Sequence, residues 1–294
     1  MRHLIVTCSD KKYGDFLVEH WLKSLKENVN LHNIDIVVLD YGLTHTQLSG
    51  LKGDNIRVIK CIKDGHVTSL RYRDLLTFLQ KENYDQVLMV DGGDIIFQSD
   101  VSTLFGTDNQ KWKGVEEDTS LKFDQIYQFK LKSKEFRKKV IETISGKKFI
   151  NGGFIISSSK NFISFCKLYL KEVKDLGSYG IDQALITYYI RINNYELLDK
   201  SYNFMVISNF NTEGYIIKEN QFYKPNGDLI HVVHNPGKTK LIRGMSKFGY
   251  KIKPKHNVII YISKLSSLII NFIISAISKL LDSINKFSHP KART

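Results

Sequence analysis

Val87-Leu88-Met89-Val90-Asp91-Gly92-Gly93-Asp94-Ile95-Ile96-Phe97 is an apolar run that halts at two carboxylates flanking two glycines and then resumes. Gln86–Val90 reads as a buried strand, fully apolar at its centre. Working outward, Leu4–Thr7, Ile34–Leu39 and Ile56–Ile59 read as earlier strands. Between them Phe16–Leu25 repeats apolar residues at helical spacing, with Phe16, Leu17, Trp21, Leu22 and Leu25 on one face. Thr46–Leu51 reads as a short helix, and Leu70–Gln80 as a longer one with Leu75, Leu76 and Leu79 inward. Downstream, Phe149–Ser157 is a strand containing Gly152-Gly153, Asn161–Lys171 and Asp182–Ile192 are helices, and Leu229–Val233 is a late strand. Asp108–Ser145 is polar and charged and supports no assignment. Alternating strands and helices predict an α/β fold with a mostly parallel, Rossmann-like sheet covered on both faces. Such sheets bind ligands beyond the C-terminal ends of their strands, which directs attention to the loop after Val90.

The chemistry there follows from the residue types. Carboxylates at a strand end, Asp91 and Asp94, chelate a hard divalent cation through oxygen, and glycines let backbone and ligand approach closely. A cation so held neutralises a diphosphate leaving group. The plain alternative is a polar turn after a strand. A second stretch, His231-Val232-Val233-His234-Asn235-Pro236-Gly237-Lys238-Thr239-Lys240, ends a strand at His234 and turns through glycine to a lysine. Imidazole adds a nitrogen ligand to a carboxylate-bound metal, and the Gly237 backbone and Lys240 ammonium suit a phosphate oxygen. Asn151-Gly152-Gly153 and Asp182-Gln183 are further candidates, although an acid at a helix start is more often an N-cap. Arg73, on the helix before the metal strand, has the reach for a diphosphate, with an ion-paired surface arginine as the default.

A chain of 294 residues accommodates one large α/β domain or two small ones. Its net charge of +13 is uneven. Residues 238–294 hold 12 Lys and Arg against the single acid Asp282, so the tail carries +11 and the body is nearly neutral. From Asn257 to Phe287 polar residues recur every three to four positions against a face of Ile, Leu, Phe and Val. No apolar run approaches the roughly 20 residues a span needs. The pattern fits an interfacial helix on an anionic membrane surface, or else a helix packed on the body or on a second copy. Cys8, Cys61 and Cys166 are scattered and lack metal spacing, which suggests reduced thiols in the cytoplasm. The N-terminus enters a strand directly, without the apolar core of a secretory leader.

The order of these blocks resembles glycosyltransferase family 8, the group with bacterial lipooligosaccharide galactosyltransferases and glycogenin. Gln86–Phe105 resembles the family's metal strand, Phe149-Ile150-Asn151-Gly152-Gly153-Phe154-Ile155-Ile156 its Asn-small-Gly strand, and Asp182-Gln183 its Asp-Gln helix. Tyr202-Asn203-Phe204-Met205 resembles the segment that follows, and His234-x-x-Gly237-x-x-Lys240 its His-x-x-Gly-x-x-Lys block. The family has Asp-x-Asp where this chain has Asp91-Gly92-Gly93-Asp94. Asp94 takes the second position, and Asp91 stands one residue early, a shift that turns a strand side chain to the other face unless a bulge restores it. The resemblance implies a single GT-A domain over residues 1–245, followed by a basic amphipathic tail, 246–294. It implies a UDP-sugar donor and Mn²⁺ or Mg²⁺ held by Asp94, His234 and Asp91. Gly237 and Lys240 would bind the diphosphate. Thr7 and Cys8 would lie near the uridine, with Asp10 and Lys12 just beyond. Asn151, Asp182 and Gln183 would face the sugar. Members of the family retain anomeric configuration. Since the neutral Gln183 amide is a poor nucleophile, same-face transfer is expected, with a diphosphate oxygen as base and Asp182 orienting the sugar.

Other classes fit less well. A sugar nucleotidyltransferase needs a Gly-rich loop with Arg after the first strand, and Cys8-Ser9-Asp10-Lys11-Lys12-Tyr13-Gly14 is not one. A nicotinamide enzyme needs Gly-x-Gly-x-x-Gly, which is absent. The remaining alternative is a non-catalytic, membrane-tethered or nucleic-acid-binding protein whose Asp-Gly-Gly-Asp no longer gathers a metal. The expected acceptor is a surface glycan or a lipid-linked sugar, with no nucleic acid.

Overall fold

The computed structural model describes residues 1–106, 108–117, 130–177, 179–209, 214–237 and 243–258. Strands β1 (His3–Ser9), β2 (Ile34–Asp40), β3 (Ile56–Lys60) and β4 (Gln86–Val90) pair in parallel. β5 (Ile95–Phe97) leaves this sheet, and β6 (Trp112–Glu117), β7 (Phe149–Ser158) and β8 (Tyr195–Leu197) complete it in the order β3-β2-β1-β4-β7-β6-β8. β7 runs antiparallel to both of its neighbours, and the other pairs are parallel, as a mostly parallel sheet requires.

The strand alternation sorts the core into two layers. Leu4 and Val6 of β1, with Val87 and Met89 of β4, face the helices Val67–Leu79, Ser159–Glu172 and Ile181–Ile192. Ile5, Leu88 and Val90 face the opposite way, onto Leu17, Trp21, Leu22 and Leu25. These last four lie on one continuous helical stretch from Gly14 to Asn28, with a π-helical middle over Leu17–Leu22. Helices thus cover both faces, as expected. The region without an assignment supplies β6 and the helix Lys134–Ile144, the latter capped by the Ser133 side chain on the Phe136 N–H.

A smaller layer decides where the site lies. After β9 (Phe204–Met205) and the antiparallel pair β10 (Ile216–Lys218) and β11 (Gln221–Tyr223), β12 (Val232–His234) pairs antiparallel with β5 and parallel with β9. The hairpin β13 (Met245–Lys247) and β14 (Lys255–His256) packs on this layer. Met245 and Asn257 are buried, Phe248 stacks on Phe16, and the Tyr250 hydroxyl donates to Glu27. The body therefore continues to Asn257, beyond the boundary expected at residue 245. The tail from 259 onward and Lys240 lie outside the described residues. No helix among the described residues is long and apolar enough to cross a membrane.

Candidate active site

Asp91 begins where β4 ends. Its N–H donates to the Gly153 carbonyl at 2.9 Å, continuing the β4–β7 ladder by one step. The chain then bends through Gly92 and Gly93 and enters β5, whose Ile95 sits opposite His234 of β12. The Asn235 N–H closes onto the Asp94 carbonyl at 2.9 Å. The large sheet thus delivers Asp91 while the small one delivers Asp94 and His234. One ligand atom from each lies within 4.8 Å of the others.

The glycine pair explains how the extra residue is absorbed. A Cβ on Gly92 would meet Thr7 Oγ1 at 2.5 Å, and one on Gly93 would meet the Tyr13 ring at 2.8 Å. Only glycine lies this close to β1 and to the start of the first helix. The spacer therefore folds flat, and Asp91 turns inward despite its offset register. Gly153 has the same role across the site. A Cβ there would sit 2.8 Å from Asp91 Oδ2, Asn151 Oδ1 and the His234 ring, filling space beside two of the three ligands. Two carboxylates and an imidazole converging on such a space fit a hard divalent cation of the Mn²⁺ or Mg²⁺ kind.

His234 is fully buried and its orientation is fixed. Nδ1 lies 2.9 Å from Asn203 Oδ1, an acceptor, so Nδ1 carries the proton and Nε2 presents its lone pair toward Asp94, 3.4 Å away. Burial pulls its pKa down, but the carboxylates, Asp94 foremost, outweigh burial and leave it raised. Asn203 Nδ2 donates to Asn151 Oδ1 at 3.0 Å. Asn151 Nδ2 and Gln183 Nε2 both donate to Glu117 Oε2, at 3.0 and 2.7 Å. A chain of amides thus ties the metal ligand to the pair expected to face the sugar. Glu117 closes this chain, yet it lay in the stretch without an assignment.

These groups line a cavity of about 430 Å³. Cys8, Asp10, Lys12, Asn151, Asp182, Gln183 and Gly237 line it together with Asp91, Asp94 and His234, as expected. Burial raises the Asp10 pKa, but the Lys63 ammonium at 2.7 Å and the N–H groups of Lys12 and Tyr13 together outweigh it and leave the pKa lowered. The Cys8 thiol is pushed up to about 12 by burial. Two expectations are corrected. Thr7 is buried beneath Gly92 and does not line the cavity. Arg73 pairs with Asp64 and Asp74 away from it. Arg71 is the arginine at the site, because two residues along a helix is roughly half a turn. Its guanidinium, 4% exposed, binds Asp91 at 2.7 Å and Asp182 at 3.0 Å. Nor is Asp182 an N-cap: Gly180, at φ 89°, holds that position, and Asp182 sits buried in the first turn. Burial raises the Asp182 pKa, and Arg71 offsets this only in part.

No family model matches the chain, and no curated protein matches it in sequence. Solved structures do match in fold. The galactosyltransferase LgtC, in complex with donor and acceptor sugar analogues, aligns with a TM-score of 0.52 at 17% identity, over 80% of this chain and 87% of its own. The glycosyltransferase GlyE of Streptococcus pneumoniae TIGR4 aligns with a TM-score of 0.53 at 16% identity, over 94% of this chain and 64% of its own. The α/β architecture expected from the sequence is therefore the fold of solved glycosyltransferases.

Proposed function

We propose that the chain is a metal-dependent glycosyltransferase that moves a hexose from a UDP-sugar to a surface-glycan or lipid-linked acceptor, with retention of configuration. The observation that carries this reading is the convergence of Asp91, Asp94 and His234 in a cavity that Asn151, Asp182 and Gln183 also line. The first group suits a diphosphate held through a cation and the second a polyhydroxylated ring. The same convergence argues against a degenerate site, which requires Asp91 to turn away.

Asp91, Asp94 and His234 would hold Mn²⁺ or Mg²⁺. The ion supplies positive charge that stabilises the departing diphosphate. The rest falls to the chain's own residues. Arg71 fixes Asp182, and Glu117 fixes Asn151 and Gln183, so the donor sugar meets a preorganised polar wall. With its nitrogen committed to Glu117, Gln183 offers its carbonyl oxygen, which has no protein partner among the described residues. That dipole and the Asp182 carboxylate stabilise positive charge growing at the anomeric carbon. The acceptor oxygen bonds to that carbon on the face the diphosphate leaves. The acceptor proton passes to a diphosphate oxygen, which accounts for retention without a protein nucleophile.

The basic amphipathic tail supports a further part of the reading, attachment to the cytoplasmic face of a membrane beside a lipid-linked acceptor. The central test is UDP release over a panel of UDP-sugars, with Mn²⁺ and with EDTA. One donor is expected to release UDP, and EDTA to abolish the release. Wild-type protein that neither turns over a UDP-sugar nor binds UDP with Mn²⁺ sinks the proposal.

A further inference from the structure

Charge balance in the cavity leaves something unaccounted for. Asp91 and Asp94 neutralise a divalent cation, so a diphosphate bound there needs other positive charge. Arg71 is spent on two carboxylates and Lys63 on Asp10, and the Lys12 ammonium donates to the Tyr13 hydroxyl at 2.9 Å. Arg243, just past the block that ends at Lys240, is differently placed. Its Nε donates to the Gly237 carbonyl at 3.0 Å, and its guanidinium carbon lies 5.7 Å from the centre of the Tyr13 ring, so the head group is anchored at the cavity rim. Its Nη2 reaches Asp94 Oδ2 at 3.4 Å, a loose contact at the edge of hydrogen bonding. Nη1 has no protein partner among the described residues. A planar fork with donors to spare, beside the glycine expected at a phosphate, suits phosphate oxygens.

We infer that Arg243 is a diphosphate-binding residue that exchanges partners with the metal. In the metal-free site it shields Asp94; when the cation takes Asp94, the guanidinium turns onto the nucleoside diphosphate. This rests on the metal site proposed above, and it makes two demands of opposite sign. Arg243 hinders binding of the cation alone, and it helps binding of the diphosphate once the cation is present.

Full-length Arg243→Ala tests both. Free Mn²⁺, read by its solution paramagnetic resonance signal without nucleotide, should show tighter binding than wild type, by roughly threefold or more, because a competing charge is gone. UDP affinity by calorimetry at saturating Mn²⁺ should fall roughly tenfold or more, as for a lost charge-assisted hydrogen bond. Arg243→Gln, which keeps a donor for Gly237 and removes the charge, should shift both quantities the same way and decides the matter if Arg243→Ala melts without cooperativity. Arg243→Lys should leave Mn²⁺ binding near wild type and recover only part of the UDP affinity. Unchanged UDP affinity, or Mn²⁺ binding no tighter, in the charge-removing variants overturns the inference. Wild type that binds neither Mn²⁺ nor UDP overturns instead the function on which it rests.

Discussion

At the scale of single residues, the site depends on a buried arginine that balances two acids. Arg71 bridges Asp91 and Asp182, and among the described residues it is the cation in contact with Asp182, whose carboxylate is otherwise met by the N–H groups of its own residue and of Gln183. Arg71→Ala leaves that largely buried carboxylate without a countercharge and should cost about 3–5 kcal/mol of stability at neutral pH. The pH dependence has a definite sign. Burial already raises the Asp182 pKa in the folded state, and losing Arg71 raises it further. A carboxyl with a raised folded pKa favours folding below its unfolded value and loses that contribution as pH rises through the folded one. The deficit against wild type should therefore be largest near neutrality and shrink toward about pH 5, as denaturant melts of both proteins across that range will reveal. A deficit independent of pH would mean that the cost is lost packing instead. Much of this site was readable in sequence, because Asp91, Asp94, His234, Asn151, Asp182 and Gln183 each sit at the end or start of a strongly patterned element. Arg71 was not, since a charged residue on the buried face of a helix interrupts the periodicity by which that face is recognised, and Arg73 on the outer face looked better placed to reach a ligand.

At the scale of elements, the long strands and helices announced themselves, and the late strand before His234 was legible too, but the small layer that it builds was not. Three-residue strands such as β5 and β12 are too short for alternation to say which strand they join, and they pair with each other from positions more than 130 residues apart in the chain, Val232 with Phe97 among them. Yet this pairing puts His234 next to Asp94. It is reinforced by one side chain that mimics backbone. Asn235 is 1% exposed, and its amide donates to the Met245 carbonyl at 3.1 Å while its Oδ1 accepts the Met245 N–H at 3.0 Å. It thereby holds together the two ends of the segment that carries Gly237 and Arg243. Asn235→Ala leaves a buried N–H and carbonyl without partners and should destabilise the protein by about 2 kcal/mol. Because the segment ends separate, UDP affinity with Mn²⁺ should fall as well, measurable by calorimetry well below the melting temperature. A variant that melts earlier but binds UDP unchanged would mean that the segment is held by other contacts.

At the scale of the whole molecule, the division between catalytic body and tail governs how membrane attachment is tested. The resemblance places the boundary at residue 245, close to where the excess of basic residues begins at Lys238. Packing moves it, because β13 and β14 are buried against the small layer. The Asn257 N–H donates to the Gly244 carbonyl, and its side chain donates to the Arg243 carbonyl at 3.0 Å. Charge density reports what a surface is suited to meet, but not where a core ends; the two boundaries differ because Lys247, Lys251, Lys253 and Lys255 lie on a hairpin whose intervening aromatic residues pack inward. A truncation that removes Asn257 would disturb Arg243 and confuse loss of attachment with loss of the site. One that ends at Val258 keeps those hydrogen bonds and removes the amphipathic segment with five of the twelve basic residues beyond 237, from Lys264 to Arg293. This shorter chain should melt like wild type and release UDP from the preferred donor at an unchanged rate. It should lose sedimentation with vesicles rich in anionic phospholipid at physiological salt, whereas wild type sediments with them and is released as salt screens the basic residues. If the truncated chain sediments as well as wild type, the hairpin lysines are sufficient and the tail has another role. If neither protein sediments, attachment to an anionic surface is wrong for this molecule, and its acceptor must be reached from solution.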